Sequence, residues 1–108
     1  PIKTNPDFIA DANGTVIPTS RARLEEGLQA AGFTTFQPES PGTGYILPDG
    51  SKIRVMDATR YAPQRASFTT ASDNPIDSFT GKPVQPPRGL TKAERKQYVR
   101  ERTHVTLY

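Results

Sequence analysis

His104 is the only histidine of a 108-residue chain, and Arg54 and Arg65 stand in short segments rich in apolar and hydroxyl side chains. Imidazole is the side chain whose ordinary pKa suits proton transfer near neutral pH, and such transfer contributes about 10²–10⁴-fold to a rate. Guanidinium binds phosphate oxygens in a two-pronged fork and keeps its charge throughout. Together the three suit proton transfer at a phosphodiester whose developing negative charge arginines would hold. Catalytic roles are therefore expected of His104, as acid or base, and of Arg54 and Arg65 as clamps, with Thr106 beside them. Lys52, Ser67, Thr69 and Tyr108 are expected to bind and orient the substrate. A mechanism with two histidines is excluded by the count. The second proton carrier would then be Tyr108, a lysine, water or the substrate itself.

These residues meet only if the strands that carry them pair in one sheet. Tyr45-Ile46-Leu47 and Ile53-Arg54-Val55-Met56 flank Asp49-Gly50, a hairpin-turn pair. Arg65 to Thr70 reads as a third strand, and Thr103-His104-Val105-Thr106-Leu107-Tyr108 as a closing one. Side chains alternate across a strand, which puts Ile53, Val55, Ala66, Phe68, Val105 and Leu107 on an inner face. Lys52, Arg54, Met56, Arg65, Ser67, Thr69, His104, Thr106 and Tyr108 then share the outer one. Any antiparallel sheet with a solvated face displays polar residues, so the constellation rather than any one member carries the expectation.

The remaining elements supply the support. Phe8-Ile9-Ala10 and Thr15-Val16-Ile17 flank Asn13-Gly14, which predicts a short hairpin ended by Pro18. Thr19 or Ser20 caps a helix that buries Leu24, Leu28 and Ala31 and stops at Gly32. Gly42-Thr43-Gly44 and Gly81-Lys82 lack the spacing of a phosphate-binding loop and read as ordinary turns. Residues 71–89 hold Pro75, Pro83, Pro86 and Pro87 without a period, which predicts a stiff loop or lid bordering the site. Thr91-Lys92-Ala93-Glu94 is a capping box opening a helix to about Arg102, with Tyr98 and Val99 in its buried stripe. The expected class is α+β, with helices packed on one face of a small antiparallel sheet. Residues 1–6 read as a linker and 7–108 as a single domain.

Composition sets the outer limits. Only 33% of residues are hydrophobic and 11 are proline, so one small core is expected. Without cysteine there is no disulfide, thiolate nucleophile or cysteine-ligated zinc. No His/Asp/Glu cluster has metal-ligand spacing, and neither metal nor cofactor is expected. The formal charge is +3, with the basic residues crowding the second half of the chain. That sidedness suits phosphate, and RNA is the expected partner. No apolar run approaches the roughly 20 residues that span a bilayer. A start at Pro1 reads as a domain excised from a longer protein.

The phrases PDFIADANGTVIPTSRARLEEGLQAAGF, SPGTGYILPDGSKIRVMD, RASFTTASDNPIDSFTGKPVQPP and RERTHV resemble the C-terminal toxin domains of bacterial polymorphic toxins. Contact-dependent inhibition and Rhs-type proteins end in such domains. The resemblance spans nearly the whole chain and is one of texture rather than of a catalytic motif. It implies an RNase of the kind typified by barnase, EndoU, colicin D and RelE, with helices on an antiparallel sheet whose concave face cleaves RNA without a metal. It also implies a cellular RNA substrate, tRNA foremost, and a cognate immunity protein that blocks the site. The domain would be monomeric apart from that complex, carried by a secreted or cell-surface protein and active in the target-cell cytoplasm. A non-catalytic RNA- or protein-binding module would use the same basic face, with Tyr45, Tyr61, Tyr98 or Tyr108 as stacking platforms. An ADP-ribosyltransferase toxin would need a catalytic glutamate, and Glu94 and Glu101 both fall on the final helix without a Glu-x-Glu or Gln-x-Glu pair.

Overall fold

The computed structural model describes residues 8–10, 16–78 and 80–108. The apolar triplets near the start pair as predicted, β1 (Phe8–Ala10) antiparallel to β2 (Val16–Pro18). The Asn13-Gly14 turn and the linker expected over residues 1–6 lie outside the described residues. Ser20 then caps α1 (Arg21–Ala30), its side-chain oxygen accepting from the Arg23 N–H at 3.4 Å. The end of the chain closes on this point. The Arg21 N–H donates to the Tyr108 carbonyl at 2.8 Å, and the Tyr108 N–H donates to the Thr19 carbonyl at 3.0 Å. Gly32 follows the helix with φ 72°, the left-handed value expected of it. Leu24 and Leu28 are buried, whereas Ala31 is exposed. It is the C-cap, so the helix ends before that position can turn inward.

Five strands form the main sheet in chain order, each antiparallel to its neighbour: β3 (Thr34–Phe36), β4 (Gly42–Ile46), β5 (Lys52–Met56), β6 (Arg65–Thr69) and β7 (His104–Thr106). The hairpin turn around Asp49-Gly50 forms, with the Asp49 carboxylate accepting from the Ser51 N–H and hydroxyl at 2.9 and 2.6 Å. Two expectations change here. β3 was not anticipated, because Thr34-Thr35-Phe36 is too short between Gly32 and Pro38 to show a period. Gly42-Thr43-Gly44 is strand rather than turn. α2 (Lys92–Thr103) carries the chain from β6 to β7, opened by the reciprocal Thr91/Glu94 capping box.

The core lies on the inner face, where Leu24, Leu28, Tyr45, Val55, Ala66 and Leu107 cluster with Ile17, Phe33, Ile53 and Phe68 packed around them. Tyr45 is 1% exposed, its hydroxyl donating to Glu25 Oε1 at 2.8 Å. Burial pushes its phenol pKa up and withdraws it from the stacking platforms considered above. Arg21 binds Asp57 at 2.6 Å and Glu25 at 3.1 Å, fastening α1 to the end of β5. Helix α2 gives no side chain to the core cluster, and Tyr98 and Val99 are only half-buried. It is held instead by the loop before it. Asp77 is 4% exposed and bridges to Arg102 at 2.9 Å, while the Ser78 N–H and hydroxyl both donate to the Arg102 carbonyl at 2.7 Å. The segment expected as a lid is therefore docked at its centre.

Candidate functional site

On the outer face, strand register draws a straight line. Phe36 pairs with Gly44, Gly44 with Arg54, Arg54 with Ser67 and Ser67 with His104. A flanking row sets Met56 beside Arg65 and Arg65 beside Thr106, and the row on the other side sets Lys52 beside Thr69. Parity thus groups Lys52, Arg54, Arg65, Ser67, Thr69, His104 and Thr106 on one face. Adjacent strands lie about 4.8 Å apart, so the backbones of Arg54 and His104 are roughly 10 Å apart with Ser67 between them. Arg54, Ser67 and His104 all line one depression.

Gly44 makes the line possible. A Cβ there would run into the Phe36 ring, so only glycine lets the ring lie across β4 toward β5. The Arg54 guanidinium then stands 5.2 Å from the ring centroid. It also donates to Thr69 Oγ1 at 2.8 Å and to Asp73 Oδ1 at 3.4 Å. Lys52 reaches the same carboxylate oxygen at 2.6 Å. These contacts hold the Asp73 carboxyl below its usual pKa, the Lys52 hydrogen bond being the main cause. Asp73 gets there through a tight turn in which it adopts φ 66° and donates its N–H to the Thr70 carbonyl at 2.9 Å. Nothing in its sequence surroundings announces that role. The first part of the proline-rich segment does border the face, as expected, and it brings a negative charge.

Arg65 is aimed by backbone oxygens, donating to the Pro63 carbonyl at 3.1 Å and the Asp57 carbonyl at 3.4 Å. Thr106 is exposed beside it. Ser67 is buried in the floor of the face. Met56 has the outward parity expected but is buried, and with Pro38 and Ser40 of the β3–β4 loop it makes one wall of a concavity. Tyr108 departs from the constellation. Strand β7 ends at Thr106, and the last residue turns away to cap α1, leaving its side chain exposed.

His104 occupies the junction of α2 and β7. Its N–H donates to the Arg100 carbonyl as the helix cap, and Nδ1 lies 3.1 Å from that oxygen and 3.2 Å from Thr103 Oγ1. The Thr103 hydroxyl donates its own proton to the Val99 carbonyl at 2.7 Å. Both neighbours of Nδ1 therefore accept, which places the proton of the neutral ring on Nδ1 and the lone pair on Nε2. Burial is the main force holding the imidazole pKa below its ordinary 6.5, and the charges of Arg65 and Arg100 add to it. The Arg100 carbonyl pulls the other way. The balance favours the uncharged ring, the form in which Nε2 accepts a proton.

Two depressions adjoin at His104. One, of about 560 Å³, holds Phe36, Glu39, Arg54, Ser67 and Asp73. The other, of about 470 Å³, holds Thr59, Tyr61, Arg65, Arg100 and Thr106. Both volumes fall in the range of about 300–1,000 Å³ that ligand sites occupy. Among the described residues no three His, Asp or Glu side chains come together as they would around a metal ion, and no helix is long and apolar enough to cross a membrane. Compared with known families, curated proteins and solved structures, the chain matches none.

Proposed function

We propose that the domain is an endoribonuclease that cuts RNA by proton transfer, without recruiting a metal. The reading rests on one observation above the others: Arg54, Ser67 and His104 stand in line across three strands, with the histidine's Nδ1 against the Arg100 carbonyl so that Nε2 is the nitrogen left to accept a proton. In the reaction, the 2′-oxygen attacks phosphorus and passes its proton to Nε2. The bond from phosphorus to the 5′-oxygen breaks, and that oxygen takes a proton from water in the open cleft. Arg54 and Arg65 hold the charge that builds on the phosphoryl oxygens. Ser67 positions the phosphate between them, and Lys52, Thr69 and Thr106 border it. The products are a 2′,3′-cyclic phosphate and a 5′-hydroxyl end.

The toxin resemblance extends this reading to a cellular RNA, tRNA foremost, and to an immunity protein that covers the cleft and the Asp73 turn of the segment 71–89. Incubating the purified chain with total RNA in a chelating buffer, then mapping the new ends, tests the activity. Cyclic phosphate ends are expected, and intact RNA would end the nuclease reading. A second reading, single-stranded RNA binding without cleavage, draws on one feature of the site. Among the described residues that line the two depressions, His104 is the only side chain whose ordinary pKa lies near neutrality.

A further inference from the structure

Tyr61 is 86% exposed, the highest value of any large hydrophobic side chain among the described residues. Its backbone is nevertheless held in a bonded turn. The Tyr61 and Ala62 N–H groups both donate to Thr59 Oγ1, at 3.1 and 3.2 Å, and the Thr59 N–H donates to the Ala62 carbonyl at 2.8 Å. The Arg60 guanidinium lies 5.4 Å from the ring centroid. A single exposed ring is ordinary on a protein surface. This one lines the same depression as His104, on a turn tied by those three hydrogen bonds.

The depression on the other side of His104 is built in a parallel way, with Phe36 under Arg54. The histidine thus separates two hollows, each provided with an aromatic ring and an arginine against it. A phosphate between two nucleobases has the same pattern of charge and flat apolar surface. Unstacked bases lie on aromatic rings and guanidinium planes whatever their identity. A duplex cannot offer them, because its bases are stacked on one another.

We propose that Tyr61, backed by Arg60, is a nucleobase platform next to the reacting phosphate, so that the substrate is single-stranded RNA with its flanking bases splayed to either side of His104. The proposal builds on the nuclease reading, which assigns the phosphate to His104, but makes a separate demand on binding. A 2′-O-methyl RNA tetranucleotide, which has no free 2′-hydroxyl and cannot be cut, serves as the probe. Its Kd is measured against the wild-type chain, Tyr61→Ala and Tyr61→Phe, with the intact tetranucleotide and with an abasic site placed at each position in turn.

Tyr61→Ala is expected to bind about tenfold more weakly, within the range of one lost stacked base, and Tyr61→Phe as wild type. One abasic position should weaken wild-type binding to the same degree and cost Tyr61→Ala nothing further. Equal affinity of wild type and Tyr61→Ala, or a Tyr61→Ala loss that persists with every abasic probe, would overturn the platform. If natural RNA is cut while Tyr61→Ala binds like wild type, the platform falls and the nuclease stands. If the tetranucleotide shows the expected Tyr61 dependence but natural RNA stays intact, the nuclease falls and the platform stands. No binding of the tetranucleotide by any of the proteins would overturn the platform, and the nuclease reading would still stand or fall on the cutting of natural RNA.

Discussion

The two faces of the sheet are made by alternate residues of the same strands, and they differ in how their side chains are held. On the inner face Tyr45, Val55 and Ala66 are buried to 1% exposure or less, and the one polar atom among these side chains, the Tyr45 hydroxyl, has its partner. On the outer face Arg54, Arg65 and His104 stay half-exposed, fastened by some polar atoms while others face the cleft. Arg54 spends Nη1 on Thr69 and Nη2 on Asp73, Arg65 one nitrogen on two carbonyls, and His104 its Nδ1 on the helix end. Core and cleft positions therefore alternate along β5 and β6, although Met56 and Ser67 on the outer face are buried as well.

The largest effect expected from breaking that contrast is on the inner face. Leu24→Ala should cost about 2–5 kcal/mol in urea unfolding, the range for a leucine truncated in a core. Thr106→Ala, one position from buried Val105 on the exposed outer face, should cost about 0.5 kcal/mol or less. Similar losses from both would mean that the outer face is also core. His104→Ala should slow RNA cleavage by about two orders of magnitude or more, with its thermal midpoint near that of wild type. A variant that unfolds instead would show the histidine to be mainly the cap of α2.

Smaller effects sharpen the outer face. Asp73→Asn keeps a residue type that tolerates the φ of 66° found there, while removing the carboxylate shared by Lys52 and Arg54. RNA binding should tighten by about fivefold, the scale of ~1 kcal/mol for one charge at about 4 Å in water, with a steeper salt dependence. Weaker binding would mean that Asp73 chiefly aims the two cations. Arg65→Ala should raise the His104 pKa in an NMR titration, because the Arg65 charge helps to hold it down. The sign for stability follows from the same depression. Below pH 6.5 the unfolded chain takes up a proton that folded His104 resists, so stability falls on acidification until the folded pKa is passed. His104→Ala should lose that part of the decline.

Strand parity was legible because it is local. Ile53, Val55, Ala66 and Phe68 alternate with Lys52, Arg54, Arg65, Ser67 and Thr69, and no long-range information is needed to sort them. The capping box at Thr91 and the left-handed Gly32 were legible for the same reason. What the sequence withheld depends on contacts made at a distance. β3 exists because β4 offers it an edge, and Gly44 reads as a turn residue until the Phe36 ring is seen to need the space. Tyr108 follows the alternation on paper, but the chain leaves the sheet after Thr106 to meet Thr19 and Arg21. Asp73 has no pattern to betray it, since a turn in a proline-rich loop carries it to the two cations.

The pH dependence of kcat/KM for RNA cleavage tests the central claim most directly. With Nδ1 protonated against Arg100 and Thr103, and burial holding the pKa below 6.5, His104 as the proposed general base would take a proton from the 2′-hydroxyl only when its ring is neutral. The rate should therefore climb with pH through an acidic limb centred below 6.5 and level off toward neutrality, and Arg65→Ala should move that limb upward. A rate that falls as pH rises through the same range would contradict the account, since it would make the charged imidazole the working form.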